Sequence, residues 1–246
     1  MAGGGVTSRE QTLSLLSAVK NHGDLAVKLS SLKQAKDILC SVEPASLVVE
    51  LFPYIVELQA SNEVLVRRIL IELMEELGLK VMDQSYVFMP VFLAYLKDDA
   101  SSVVRQTIVS GANFFCSVLE EMALQYHQSG KVERWLEELW SWMVKFKDVI
   151  RGIALESGPV ATKLLAIKFL ETYVLLFTSD DSDVETSVKE VKGQNFNISW
   201  VAGGHPILDP DLLTEEANRS IGYLLDMLRS AKTLSGCVTI TVINWF

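Results

Sequence analysis

Along most of this chain apolar side chains return every three or four positions, the spacing that lines one face of an α-helix. Leu13, Leu16 and Val19 mark a first helix that Thr7 or Ser8 can cap, and Asn21-His22-Gly23-Asp24 stops it and starts the next. The second carries Val27, Leu29, Leu32, Ala35, Ile38 and Leu39 on one stripe. A third, opened by Glu43-Pro44, carries Leu47, Val48, Leu51, Ile55 and Leu58. Pro53 falls inside it and is expected to kink it, because proline cannot donate its backbone hydrogen bond. Ser61-Asn62-Glu63 caps a fourth helix with Val64, Val66, Ile69, Leu70, Leu73 and Leu77, ended by Gly78. A further helix is expected over about 84–97, kinked at Pro90, and Ser101-Ser102 caps another over 103–120.

Two markers in this pattern share one period. Val27-Lys28, Val66-Arg67 and Val104-Arg105 place their bases 39 and then 38 positions apart, and Pro53 and Pro90 are 37 apart. A period of that size points to stacked helix pairs of the HEAT or armadillo kind. In such an array no single pair can bury its apolar face, so neighbours share one continuous core. The expected fold is all-α, an α-α superhelix of about five helix pairs. Arrays of this kind serve as surfaces for other proteins, so a scaffold is expected before an enzyme.

The fourth unit departs from the period. A long helical stretch over about 131–154 holds Trp135, Leu136, Leu139, Trp140, Trp142, Met143, Phe146 and Val149, and Gly158-Pro159 breaks it. The next helix, about 160–178, holds Leu164, Leu165, Ile167, Phe169, Leu170, Val174 and Leu176. Lys163 stands where the repeated base should, at a spacing of 58, so this unit has an enlarged first helix or extra turns before it. Residues 179–209 read as a long loop before the last pair, acidic at its start, with Trp200, Val201, Ile207 and Leu208 packing part of it on the array. Helix returns over about 210–230, and the β-branched segment from Ser235 onward can supply the second helix of a fifth pair. Residues 1–6 are a flexible lead and 7–246 the array. It reads as cut off at Asn244-Trp245-Phe246, since a terminal repeat needs a polar outer face.

Composition narrows the classes. The 246 residues are 49% hydrophobic, which argues against disorder. The net charge of −9 lacks the basic footprint of a nucleic-acid binder, so no direct nucleic acid is expected. Cys40, Cys116 and Cys237 fit no zinc spacing and no disulfide framework, and read as reduced core thiols. No signal peptide is visible, and no apolar run approaches the roughly 20 residues of a membrane helix. The sequons at Asn197 and Asn218 are therefore read as chance matches.

No catalytic constellation stands out. His22, His127 and His205 are isolated and near loops, and read as exposed or capping residues. There is no GxxxxGK[ST], GxGxxG or HExxH motif, and no cofactor or small-molecule substrate is expected. Asp180, Asp181, Asp183 and Glu185 miss the register of a calcium loop, and the carboxylates of Glu72 to Glu76 read as a solvated helix face. The repeated bases Lys28, Arg67, Arg105 and Lys163 have two readings. One is structural, a bond to an acid or carbonyl at the turn between repeats. The other is a basic ladder that meets an acidic partner. The tryptophans at 135–142 divide likewise between core and interface anchors.

Several stretches, in order, resemble one family: Asn62-Glu63-Val64-Leu65-Val66-Arg67-Arg68, residues 98–120, Ala166-Ile167-Lys168-Phe169-Leu170-Glu171, and His205-Pro206-Ile207 followed by the 212–228 helix. Over about 10–240 the chain resembles the N-terminal HEAT domain of the symplekin family, with a glycine-rich start that sets it apart from animal members and toward a plant one. The resemblance implies a nuclear, non-catalytic scaffold of pre-mRNA 3′-end cleavage and polyadenylation, with the cytoplasm as a second compartment. It implies as partners the cleavage and polyadenylation factors and the phosphatase that dephosphorylates serine in the RNA polymerase II C-terminal repeats. The phosphatase contact would use the helix of 166–171, with Lys168 as its centre and its ammonium toward an open groove, and Lys163 and Thr172 near the same face. Arg105 joins them if the bases form a ladder. The alternative is an adaptor or transport-type solenoid of another family.

Overall fold

The computed structural model describes residues 7–42, 45–178, 198–201, 204–229 and 236–243. Every regular element among them is helical: α1 (Ser8–Asn21), α2 (Leu25–Ser41), α3 (Ala45–Glu57), α4 (Val64–Lys80), α5 (Met89–Tyr95), α6 (Ser101–Ser129), α7 (Arg134–Leu155), α8 (Val160–Phe177), α9 (Pro210–Arg229) and α10 (Gly236–Ile243). Taken in chain order these are successive HEAT/armadillo-like helix pairs, so the expected all-α fold is the one observed. None of the described helices is long and apolar enough to cross a membrane. The expected lead 1–6, the opening at Glu43-Pro44, the acidic run 180–185, Asn197, the side chain of Cys237 and the end at 244–246 lie outside the described residues. The chain divides into two compact units, 1–114 and 115–246, with the division inside α6.

In the first unit the ends of the helices follow local chemistry. Thr7 caps α1 in a reciprocal box with Glu10, and the Asp24 carboxylate accepts the Ala26 amide at the start of α2. Leu32, Ala35, Leu39, Val48, Leu51, Ile55, Val66, Leu70 and Leu73 are buried along the facing stripes. A fully buried leucine of this kind is worth about 1.5–3 kcal/mol.

Contacts between neighbouring pairs recur at the sequence period. Lys28 Nζ lies 2.8 Å from Glu63 Oε1, 35 positions on. Arg67 approaches Asp98, 31 positions on, through two nitrogens: Nη2 donates to Oδ1 at 3.0 Å, and Nε makes an ion-pair contact of 2.8 Å with Oδ2. Arg67 Nη1 also donates to the Ser61 carbonyl at 2.7 Å. Lys80 Nζ donates to the Cys40 and Val42 carbonyls at 2.9 and 2.7 Å, closing the C-terminal end of α2. Phe52 and Phe88 stack with ring centroids 4.4 Å apart. The structural reading of the repeated bases therefore holds for Lys28 and Arg67. Lys28 and Ser61 together hold the Glu63 carboxyl down at about 2.

Three local expectations are corrected. The helix expected over 84–97 is a 3-10 segment, Met82–Phe88, followed by α5, and Pro90 sits in the first turn of α5 instead of kinking a longer helix. Proline lacks a donor that the first turn does not use, so it starts a helix more readily than it bends one. Gly78 does not end α4, which runs on to Lys80. It is there because a Cβ would stand 2.9 Å from the buried ring of Phe114. Finally α6 continues past residue 120 to Ser129, where Gly130 adopts the left-handed conformation at φ +67°.

In the second unit α8 packs against α7, α9 and α10. The wider spacing of the fourth pair comes from both expected sources: α7 has 22 residues, and α6 adds turns before it by running on to Ser129. Pro159 occupies the N-cap position of α8, as the break at 158–159 implied. The segment 236–243 is helical despite its β-branched residues, as a second helix of the last pair requires. The aromatic centre of this unit is Phe115, with Trp140, Phe169 and Tyr173 around it at centroid distances of 5.4, 5.5 and 5.9 Å. The core reading thus holds for Trp140. Trp142 stays half-buried beneath Lys145, 4.4 Å from its ring.

The thiols of Cys40 and Cys116 are both pushed up to about 11, chiefly by burial. They are protonated at neutral pH, although both cysteines are half-buried and not the core residues expected.

Candidate protein-binding face of the second unit

Helix α8 is apolar nearly all the way round, because three other helices cover it. One strip escapes. Ala161, Lys168 and Leu175 follow each other at seven-residue spacing and are exposed. Seven residues are close to two helical turns, so the three stand in line along the axis. The Lys168 side chain is 63% exposed and Leu175 is 60% exposed. Thr172 lies one turn beyond Lys168, and its hydroxyl donates to the Lys168 carbonyl at 3.0 Å. The structure therefore brings Lys168 and Thr172 together, and adds Leu175, which the sequence reading did not single out.

The Lys168 ammonium does not stand free over a groove. It lies 2.9 Å from Glu171 on the same helix. An exposed pair of this kind is worth a fraction of a kcal/mol, so a partner's carboxylate can replace Glu171 with little loss. Lys163 does not share the face. Five positions rotate the helix by about 140°, and Lys163 instead turns back to donate to the Glu156 carbonyl at 3.0 Å, at the end of α7. Arg105 belongs to the first unit. Its Nε donates to the Ser101 carbonyl of its own helix at 3.3 Å.

A second polar cluster lies between α7, α8 and α9. Lys147 is 6% exposed and stands in the core stripe of α7, among Met143, Phe146 and Ile150. Its ammonium lies 2.7 Å from Glu216 Oε2, and the Tyr173 hydroxyl donates to the same oxygen at 2.7 Å. Lys147 Nζ also sits 5.3 Å from the centroid of the Tyr173 ring. Burial alone would raise the Glu216 carboxyl, but the bonds from Lys147 and Tyr173 outweigh it and leave it lowered. Burial, and then the bond to Glu216, raises the Tyr173 hydroxyl. The sequence signal for this cluster was a lysine at a core-facing position of α7. Its partner, 69 positions on, could not be read.

His205 also departs from expectation. It is only 7% exposed, not a surface residue. Its Nδ1 accepts the Leu208 and Ile207 amides at 2.8 and 3.2 Å, and its ring tilts against Tyr126 at 4.7 Å. Nε2 faces the Met122 carbonyl at 3.4 Å, and the Tyr126 hydroxyl donates to the Gly204 carbonyl at 2.9 Å. With Nδ1 accepting two bonds, the ring is neutral and carries its proton on Nε2. The ring holds the turn of residues 205–208 and ties it to α6.

Burial lowers the His205 pKa, against a smaller raising effect from the Met122 carbonyl. The unfolded chain then takes up a proton more readily than the native one. Stability from this site is complete above the unfolded value of about 6.5 and is lost as pH falls below it. Thermal melts between pH 7.5 and 5.5 should show the second unit weakening in acid. His205→Asn, whose side-chain oxygen can accept the same amides without titrating, should flatten that slope. An unchanged slope would show that His205 is not the titrating group.

No curated protein matches the chain. The model of the family described as Symplekin/PTA1 N-terminal matches residues 100–246, from the start of α6 onward. That span takes in α7, α8, α9 and the tie at His205, more than half of the chain, and the chain therefore belongs to the symplekin/PTA1 N-terminal family.

Proposed function

We propose that this chain is a non-catalytic scaffold of pre-mRNA 3′-end cleavage and polyadenylation. It works in the nucleus, and it binds a phosphatase of the RNA polymerase II C-terminal repeats through the open strip of α8. Family membership supports the scaffold role. The observation that carries the binding face is the line of Ala161, Lys168 and Leu175, uncovered along a helix against which three others pack. A cation flanked by an exposed leucine two turns away suits a partner surface that offers a carboxylate beside an apolar side chain. The other cleavage and polyadenylation factors would use faces that this strip leaves free.

The test is a binding assay with purified phosphatase and single variants. Lys168→Glu is expected to weaken binding at least tenfold with an unchanged helical CD spectrum, and Leu175→Glu should do the same. Arg105→Glu run alongside reads whether the base of the first unit takes part. Wild-type affinity in both α8 variants would remove the strip from the interface.

A further inference from the structure

The polar cluster of the second unit has an open side that the proposed phosphatase contact does not use. A small cleft there is lined by Lys147 and Arg151 of α7, Leu170 and Tyr173 of α8, and Arg219 and Tyr223 of α9. Glu216, Arg219, Ser220 and Tyr223 stand at i, i+3, i+4 and i+7, one face of α9, and Lys147 and Arg151 are one turn apart on α7. Two helices thus direct three cations and a phenol at one space. In a chain of net charge −9, such a gathering of cations goes against the overall balance.

Glu216 is the one acid in the lining, and one of its oxygens is engaged twice. Its Oε2 takes both Lys147 and Tyr173 at 2.7 Å, and this ion pair, buried at its lysine and half-exposed at its carboxylate, forms the floor. Arg151 and Arg219 remain above that floor. Their carboxylate partners, Asp148 and Glu215, are neighbours on their own helices and are not part of the lining. Each is reached by one guanidinium nitrogen, at 3.3 and 3.6 Å. Single contacts of that length on exposed side chains hold an arginine weakly and leave most of its five N–H donors unused. The Ser220 hydroxyl is spent on the Glu216 carbonyl at 3.0 Å, whereas Tyr223 lines the cleft and is 36% exposed.

We infer that this cleft is a binding site for a phosphorylated side chain of a partner protein. The tetrahedral dianion would take the guanidinium donors of Arg151 and Arg219 with support from the Tyr223 hydroxyl. Forked arginine donors match phosphate oxygens bidentately, and the monoester's two charges exceed what Asp148 or Glu215 offers either arginine. Lys147 is a positioning residue: its pair with Glu216 neutralises the floor and fixes α9 against α7. The apolar wall of Leu170 and the Tyr173 ring suits the carbon stem of a modified side chain.

The experiment uses the full chain, with amide and arginine side-chain NMR as the readout. The probes are capped phosphoserine, capped phosphotyrosine, inorganic phosphate and capped aspartate at fixed ionic strength. The expected result is saturable shifts confined to residues around Arg151, Arg219 and Tyr223. One of the phosphoamino acids should bind at least fivefold tighter than inorganic phosphate and tenfold tighter than aspartate. Arg151→Gln with Arg219→Gln should weaken that binding at least tenfold while the CD spectrum and Tm stay as in the wild type. Shifts spread over other surface bases, binding that survives the double variant, or inorganic phosphate binding as tightly as the phosphoamino acids would each overturn the assignment. Because the assay contains no phosphatase, its outcome is independent of the α8 strip.

Discussion

Phe115→Ala is expected to remove about 4 kcal/mol from the stability of the second unit, the upper part of the range for emptying a core aromatic position. Phe115 is buried and stands at the centre of Trp140, Phe169 and Tyr173, with Phe169 edge-on at 75° and in turn packed on Phe146. The ring loses its own transfer energy, and the three aromatic neighbours are too constrained by α7 and α8 to close the void. Urea unfolding followed by tryptophan fluorescence reads the change, since Trp140 touches the substituted ring. With a urea slope of about 2 kcal/mol/M the midpoint should fall by about 2 M. Phe115→Leu should recover much of the loss. A fall of less than about 0.5 M for the alanine variant would mean that the unit's core is centred elsewhere.

In the first unit the largest polar effect is expected at Arg67. Its side chain is 14% exposed and that of Asp98 is 11% exposed, so the pair is nearly dry. Arg67→Ala strands the Asp98 carboxylate and leaves the Ser61 carbonyl without its 2.7 Å donor, at a cost of about 3 kcal/mol. Asp98 keeps one other task, accepting the Ala100 amide at 2.8 Å before α6. Asp98→Ala should therefore be costly by itself, and the double variant should cost about 1–3 kcal/mol less than the two singles summed. Additive losses would show that the two side chains are not coupled. The effect belongs to the repeat, since Lys28 and Glu63 occupy the equivalent places one pair earlier.

What could be read from the sequence was whatever recurs at short range or at the repeat period. The bases at 28 and 67 and the apolar stripes of α2 and α4 follow from helical spacing, and the same spacing exposes the break at 158–159. Pro90 was misread because proline inside an apolar run is compatible both with a kinked helix and with a helix start. Only the preceding 3-10 segment separates the two. Gly78 looked like a terminator, and the reason for it, the Phe114 ring, lies on another helix. The candidate site divides along the same line. Lys168 and Thr172 are neighbours on one turn and were legible together. Lys163 was misplaced by rotation about the axis, and its real partner is a carbonyl of the preceding helix. Lys147 with Glu216, and His205 with Met122 and Tyr126, are joined across long stretches of chain, and nothing in local composition announces such partners.

The measurement that tests the central claim most directly is a calorimetric titration of the wild-type chain with the C-terminal-repeat phosphatase. The chain should be verified beforehand as helical and cooperatively folded. A one-to-one complex with micromolar or tighter affinity is the predicted result. Absence of binding by the well-folded chain would contradict it.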